Sequence, residues 1–232
     1  MDPIGGAEEK GQVMAHEYRQ IVNPRTGQAM IFRRTAADTD GQLLQIECYH
    51  EPGGPPEPKH THPHQESRFE VLSGLLRFRI GGNERTAGPG EVVTIPANAS
   101  HSFWNDGDGV AHYLQEFRPA LDSEHFFETL FGLAQAGKLD ARGMPTVLAL
   151  PVLVSAMGDA IRPVSPPWPL VRGVAWLLGP LARVRGYSSL QPQVPTAQPN
   201  PHHTGDRQAI RERLTAAWIA DGNGIGRGGP LR

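Results

Sequence analysis

Short runs of alternating apolar and polar residues, each closed by glycine or proline, fill the chain from residue 42 to residue 117. Phe69-Glu70-Val71-Leu72 and the run 75–80 are broken by Ser73-Gly74, and Gly81-Gly82-Asn83 then supplies the left-handed residues of a hairpin turn. Turns at Gly88-Pro89-Gly90, Pro96-Ala97-Asn98 and Asp106-Gly107-Asp108-Gly109 separate further short strands over 91–95, 101–105 and 110–117. Strands at this spacing predict an antiparallel sandwich or barrel. The period of two also assigns faces: Leu44, Ile46 and Cys48 share one side of the strand 42–50, while Gln45, Glu47 and Tyr49 share the other.

Beyond Pro119 the period changes from two to that of a helix. Asp122 or Ser123 caps a helix whose Phe126, Phe127, Leu130, Phe131 and Ala134 form one apolar stripe ending near Gly137. A second helical stretch is expected over 146–161, with Pro151 near its start. A third, over 170–184, holds Trp176, Leu177 and Leu178, is interrupted by Gly179-Pro180, and carries Arg172, Arg183 and Arg185. It is too short and broken to span a bilayer, which takes about 20 apolar residues. A buried or dimer-forming helix is the preferred reading, with interfacial membrane contact as the alternative. The Pro- and Gln-rich stretch from Gln191 reads as an extended linker, followed by a short helical pattern through Ile210, Leu214, Ala217 and Trp218.

Candidate chemistry sits in two stretches. Gly54-x5-His60-Thr61-His62, with Gly74 beyond it, precedes Gly90-x5-Pro96-x4-His101-x3-Asn105. His60 and His62 lie two apart and so point to one face of a strand, and His101 joins them from another strand if the barrel closes. Three imidazoles with open positions are the donor set of a catalytic rather than a structural metal site. His64 and Glu66 are further candidate ligands. Cys48, Ser67, Phe69, Val71, Phe78 and Phe103 are candidates to line the barrel cavity, Asn105 is expected to stabilise a strand end, and Glu116 reads as a solvated strand carboxylate.

Over roughly residues 20–118 these two stretches resemble the signature segments of the single-domain cupins, a jelly-roll double-stranded β-helix. Gly90, Pro96, His101 and Asn105 fall on the family positions, and Asn98 stands where the family usually has glycine. The resemblance implies a glutamate ligand seven residues before Gly74, which in this chain is Ser67; Glu66 is one position off and points outward unless a bulge intervenes. The implied organisation is a flexible arm over 1–20, a mainly β cupin barrel over 21–120, a C-terminal helical extension over 121–187, and a linker and tail over 188–232.

Composition narrows the function classes. A chain of 232 residues with net charge −2 has no polycationic surface, and no helix-turn-helix pattern precedes the barrel, so nucleic acid is not expected as a partner. Cys48 is the single cysteine, which excludes an internal disulfide and fits a reducing, cytoplasmic setting, and Met1-Asp2-Pro3-Ile4 lacks the basic start of a signal peptide. The expected function is that of a metal-dependent cupin enzyme, of the dioxygenase sort, acting on a small, partly apolar molecule. Its cofactor would be a divalent ion, Fe(II), Zn, Ni or Cu, held by His60, His62 and His101. The alternative is a non-catalytic small-molecule binding cupin, or a metal-free isomerase or cyclase. Exposed sheet edges also suggest a homodimer.

Overall fold

The computed structural model describes residues 19–140 and 143–187. Residues 1–18 of the expected arm, and the whole linker and tail with its short helical pattern, lie outside the described residues. Ten strands follow one another: β1 (Gln20–Val22), β2 (Ala29–Arg34), β3 (Leu44–His50), β4 (His60–Thr61), β5 (Glu66–Ser73), β6 (Leu76–Ile80), β7 (Asn83–Ala87), β8 (Val92–Ile95), β9 (His101–Asn105) and β10 (Ala111–Arg118). Helices α1 (Ser123–Gln135) and α2 (Leu150–Met157), strand β11 (Arg162–Pro163) and helix α3 (Trp168–Val184) complete the described chain.

The strands form two antiparallel sheets in the orders β1-β2-β3-β10-β5-β8 and β11-β4-β9-β6-β7. The inner faces follow from the alternation. Leu44, Ile46 and Cys48 on β3, Phe69 and Val71 on β5, Phe78 on β6, Phe103 on β9 and Tyr113 and Phe117 on β10 are all buried. Phe69 stands edge-on to Phe78 and Phe103, with ring centroids 5.0 and 4.8 Å apart. Five of the expected cavity residues, Cys48, Phe69, Val71, Phe78 and Phe103, therefore belong to the packed core between the sheets.

Two glycines set the path of the chain near the site. Gly74 has φ +80°, and a Cβ there would meet the Ala111 Cα at 2.7 Å, so only glycine lets β5 turn this close to β10. Gly158 ends α2 at φ +45°, and a Cβ on it would press into the Asp122 side chain, 2.9 Å from its Cβ. This corner returns the chain from the helical extension to the barrel.

Three elements differ from the sequence expectation. β7 carries four exposed residues, Asn83 to Thr86, and no apolar alternation. It pairs because Gly81 and Gly82, both at positive φ, make a two-residue turn that sets Ile80 opposite Asn83. Arg79 then reaches across to Glu84, its Nε 2.9 Å from Oε1. β11 is only two residues long and pairs with β4, Arg162 opposite Thr61 and Pro163 opposite His60. α3 is continuous through Gly179-Pro180, because Pro180 lies on the exposed side where the carbonyl it leaves unbonded can meet water. Among the described residues no helix is long and apolar enough to cross a membrane.

Candidate metal centre

His60 and His62 come from β4 and its continuation, and His101 from the first position of β9, directly opposite His60 in the ladder. The His60 and His101 ring centroids are 4.3 Å apart, His60 and His62 5.1 Å, and His62 and His101 5.3 Å. Each ring offers one ligand nitrogen, and the three lie within 4.8 Å of one another, forming the one cluster of this kind among the described residues. His62 and His101 are buried and His60 is half-buried.

The nitrogens that carry protons can be assigned from their partners. His60 Nδ1 lies 2.8 Å from the Pro58 carbonyl, His101 Nδ1 2.9 Å from the Ala99 carbonyl, and His62 Nδ1 2.7 Å from the Ala160 carbonyl. A carbonyl only accepts, so all three Nδ1 atoms donate, and each Nε2 keeps its lone pair. Orienting a ligand histidine by a carbonyl on its other nitrogen is the usual second layer of a metal site. Nitrogens about 2.1 Å from a tetrahedral ion sit about 3.4 Å apart, so closure by roughly an ångström brings the set to coordination. The residues present fit a divalent ion.

Electrostatics favour the neutral rings. Burial is the main cause that pushes His60 well below the ordinary histidine range, with His101 and His62 beside it adding to the shift. Burial, then His101, lowers His62 to about 4, and burial lowers His101. All three are unprotonated at neutral pH and ready to ligate.

The further candidate ligands fall away. His64 and Glu66 are exposed and outside the cluster. No bulge intervenes at Glu66: β5 pairs in register, Ser67 opposite Ile95 on one side and Phe117 on the other, so Ser67 faces inward with Phe69 and Val71. Ser67 Oγ is buried without a hydrogen-bond partner. Phe117, its neighbour on β10, has its ring 5.2 Å from that of His62. The position of the family's carboxylate thus borders the cluster but holds a short neutral side chain.

Other side chains singled out by the sequence act structurally. Asn105 Nδ2 donates to the His50 and Gly109 carbonyls, both at 2.7 Å, and its Oδ1 accepts from Gly107 N at 2.9 Å, tying the end of β9. Glu116 is buried rather than solvated, receives a bond from Gln45 at 2.8 Å, and pairs with Arg118. His112 stacks on Tyr49 and holds Glu47, whose carboxyl is lowered to about 2, chiefly by the His112 bond.

Two features carried no sequence signal for the site. One is the Ala160 carbonyl, a backbone atom 98 residues from His62 and brought to it by the Gly158 corner and the β11–β4 pairing. The other is Glu57, which reads as a loop charge between prolines. Its backbone N–H bonds to the Phe103 carbonyl at 3.1 Å. Burial raises its carboxyl to about 8, with the Gln28 amide beside it opposing the shift. Cys48 and Tyr113 feel its charge, and the buried Gln28 Nε2 and Tyr113 Oη have no hydrogen-bond partner of their own. Glu57, half-buried, thus stands with Gln28, Cys48 and Tyr113 as a second polar group at the edge of the apolar core.

Residues 47–115 match the family model described as the cupin domain. No curated protein matches the chain. Among solved structures the chain is similar to KdgF from Halomonas sp., at 17% identity over 47% of this chain and 93% of that one, with a TM-score of 0.39. It is similar to a predicted oxalate decarboxylase from Thermotoga maritima, at 20% identity over 44% of this chain and 91% of that one, with a TM-score of 0.40. A sugar phosphate isomerase of Silicibacter pomeroyi is similar at 20% identity, over 44% of this chain and 71% of that one, with a TM-score of 0.38.

Proposed function

Starting from a chain that is a cupin-superfamily protein, its cupin domain matched over residues 47–115, we propose that it is a metal-dependent enzyme acting on a small, partly apolar molecule. The observation that carries this reading is the set of three histidines whose Nδ1 atoms are all held by backbone carbonyls, leaving each Nε2 free to ligate, with one ligand nitrogen from each ring within 4.8 Å of the others. A divalent ion held there supplies a Lewis acid of undiminished charge, and if the ion is iron it also supplies redox chemistry with dioxygen. His60, His62 and His101 hold and orient. Phe117 beside His62 contributes an apolar wall that suits the partly apolar part of a substrate. Ser67 adds no negative charge where the family places a carboxylate, which turns the site from Mn towards softer ions.

Dioxygenase chemistry is the specific reaction put forward. Its test is elemental analysis of protein purified without tag or chelator, followed by oxygen uptake by the Fe(II)-loaded protein over a panel of small catechols and enols. Near-stoichiometric metal that is lost in His60→Ala and His101→Ala, together with substrate-dependent oxygen uptake, is the expected result. Protein that stays metal-free after anaerobic Fe(II) loading overturns it.

Glu57 favours a second reading, a metal-free isomerase or cyclase. A carboxyl raised to about 8 beside Gln28 and Tyr113 holds a proton at neutral pH and can exchange it with a ligand. Loss of turnover in Glu57→Gln with retention in His101→Ala selects this reading; the converse selects the metal enzyme.

A further inference from the structure

α3 is built inside out. The face it turns to the protein is made of small buried residues, Val171, Ala175 and Ala182, and the helix packs against α2. Its large apolar residues face outward: Leu170 is 58% exposed, Leu177 71%, Trp176 82% and Val184 84%. Leu170, Val174, Leu177, Leu181 and Val184 recur at i, i+4, i+7, i+11 and i+14 as one continuous apolar strip, and Trp176 stands to one side of it, between the strip and the side of Arg172 and Arg183. A strip of this size on a soluble surface marks a contact with something apolar.

Charge identifies that contact. From Ala160 to Tyr187 the sequence holds Arg162, Arg172, Arg183 and Arg185 and no aspartate or glutamate, in a chain whose net charge is −2. Arg162 stacks over Trp168, its guanidinium carbon 4.3 Å from the ring centroid, while Arg172, Arg183 and Arg185 are exposed. Pairing α3 with α3 of a second copy would bring arginines together with no carboxylate on the helix to neutralise them. An anionic lipid surface supplies both missing partners, acyl chains for the strip and phosphates for the guanidinium groups, and an exposed tryptophan suits the headgroup boundary.

We propose that α3 is a membrane-surface helix that seats this protein on anionic bilayers, its Leu170–Val184 strip in the headgroup boundary and Arg172, Arg183 and Arg185 on lipid phosphates. The helix lies on the surface and does not cross it.

The test is co-sedimentation of the full chain with vesicles of phosphatidylglycerol and phosphatidylcholine, beside vesicles of phosphatidylcholine alone, with light scattering giving the mass in the absence of lipid. Sedimentation with the anionic vesicles, a blue shift of tryptophan emission and release at high salt are expected. Arg172→Glu/Arg183→Glu/Arg185→Glu should bind on the order of a hundred-fold more weakly, taking each surface arginine at its usual contribution. Trp176→Ser/Leu177→Ser, both at exposed positions, should keep the circular dichroism spectrum and lose vesicle binding. No binding to anionic vesicles, or equal binding to neutral ones, overturns the proposal. A dimer that Trp176→Ser/Leu177→Ser converts to a monomer, without vesicle binding by the parent, assigns the strip to a second copy instead.

Discussion

The Gly158 corner offers the sharpest test of how the helical extension bears on the metal centre. Gly158 sits at φ +45° with Asp122 against the position of its missing Cβ, and the Asp159 N–H bonds to Asp122 Oδ2 at 3.1 Å. Two residues on, the Ala160 carbonyl holds His62 Nδ1 at 2.7 Å. Gly158→Ala cannot keep this corner: φ +45° with ψ −123° is a conformation that costs a residue with a Cβ on the order of 1–3 kcal/mol, and the clash with Asp122 moves the segment 158–161. A carbonyl that shifts by even half an ångström leaves a poor bond, and His62 then loses the partner that fixes its tautomer and plane. Losing such a partner lowers metal affinity about 10- to 100-fold, or roughly 1.4 to 2.8 kcal/mol. Gly137→Ala is the control, with φ +67° and nothing within 4 Å of the added Cβ, so it carries the backbone strain without reaching any histidine. Both variants should melt a few degrees lower, about 2 to 4 °C for each 1 kcal/mol. Competition against a chelator of known affinity should show weaker Zn(II) binding in Gly158→Ala alone. Equal affinity in the two variants would refute the role given to the Ala160 carbonyl.

Other outcomes follow from the same geometry. His101→Ala should retain a cooperative melt and the sheet signal in circular dichroism while losing metal at least a hundred-fold, read by elemental analysis after dialysis, since it removes one of three ligands. Ser67→Glu, which puts a carboxylate at the inward position beside Phe117, should raise affinity for Mn(II) relative to Zn(II), measured by competition between the two ions. The Glu57 carboxyl titrates at about 8 in the folded state against 4.5 as its ordinary value. Between these limits the unfolded chain has released its proton and the folded chain has not, so stability falls as pH rises, by at most about 1.4 kcal/mol per unit. Glu57→Gln removes that titration, and its stability relative to the parent, from urea unfolding with chelator present, should improve between about pH 5 and about pH 7.5.

What could be read in advance follows the periodicities. The alternation placed Ser67, Phe69 and Val71 on one face and Glu66 on the other, and β5 holds that register from Glu66 to Val71 against β10 and from Ser67 to Glu70 against β8, slipping only beyond Val71. The expected left-handed turn at Asn98 has φ +62°, and the α1 stripe places Phe126, Phe131 and Ala134 in the interior. Side-chain patterns reveal faces, and faces reveal which histidines can meet. They reveal nothing of backbone acceptors. Ala160 has no polar side chain, and β11 is too short to have a period, yet together they anchor His62 and the strand beside it. β7 was equally hidden, since a strand with both faces in water need not alternate. Glu57 escaped for the opposite reason: a charged residue between Pro56 and Pro58 reads as solvated, and only the fold puts its carboxyl beside Gln28 and Tyr113.

The protonation state of the three histidines links the fold to the choice of occupant. Burial holds all three pKa values down, and neighbouring histidines add to the shift of His60 and His62, so at neutral pH a proton is a poor guest for the cluster. The cluster nonetheless gathers one electron-rich ligand nitrogen from each ring within 4.8 Å of the others, an arrangement favoured by a positive charge between them. Three carbonyls prevent the rings from turning away. A divalent cation suits this arrangement where a proton does not, because it bonds to all three nitrogens at once, whereas a proton satisfies one and leaves a buried charge facing the other two. Two of those carbonyls, at Pro58 and Ala99, lie within two residues of the ring they hold, while the third comes from the helical extension. The barrel supplies the three histidines, and the extension completes the orientation of His62, so a barrel cut after β10 would retain the histidines but leave His62 free to turn.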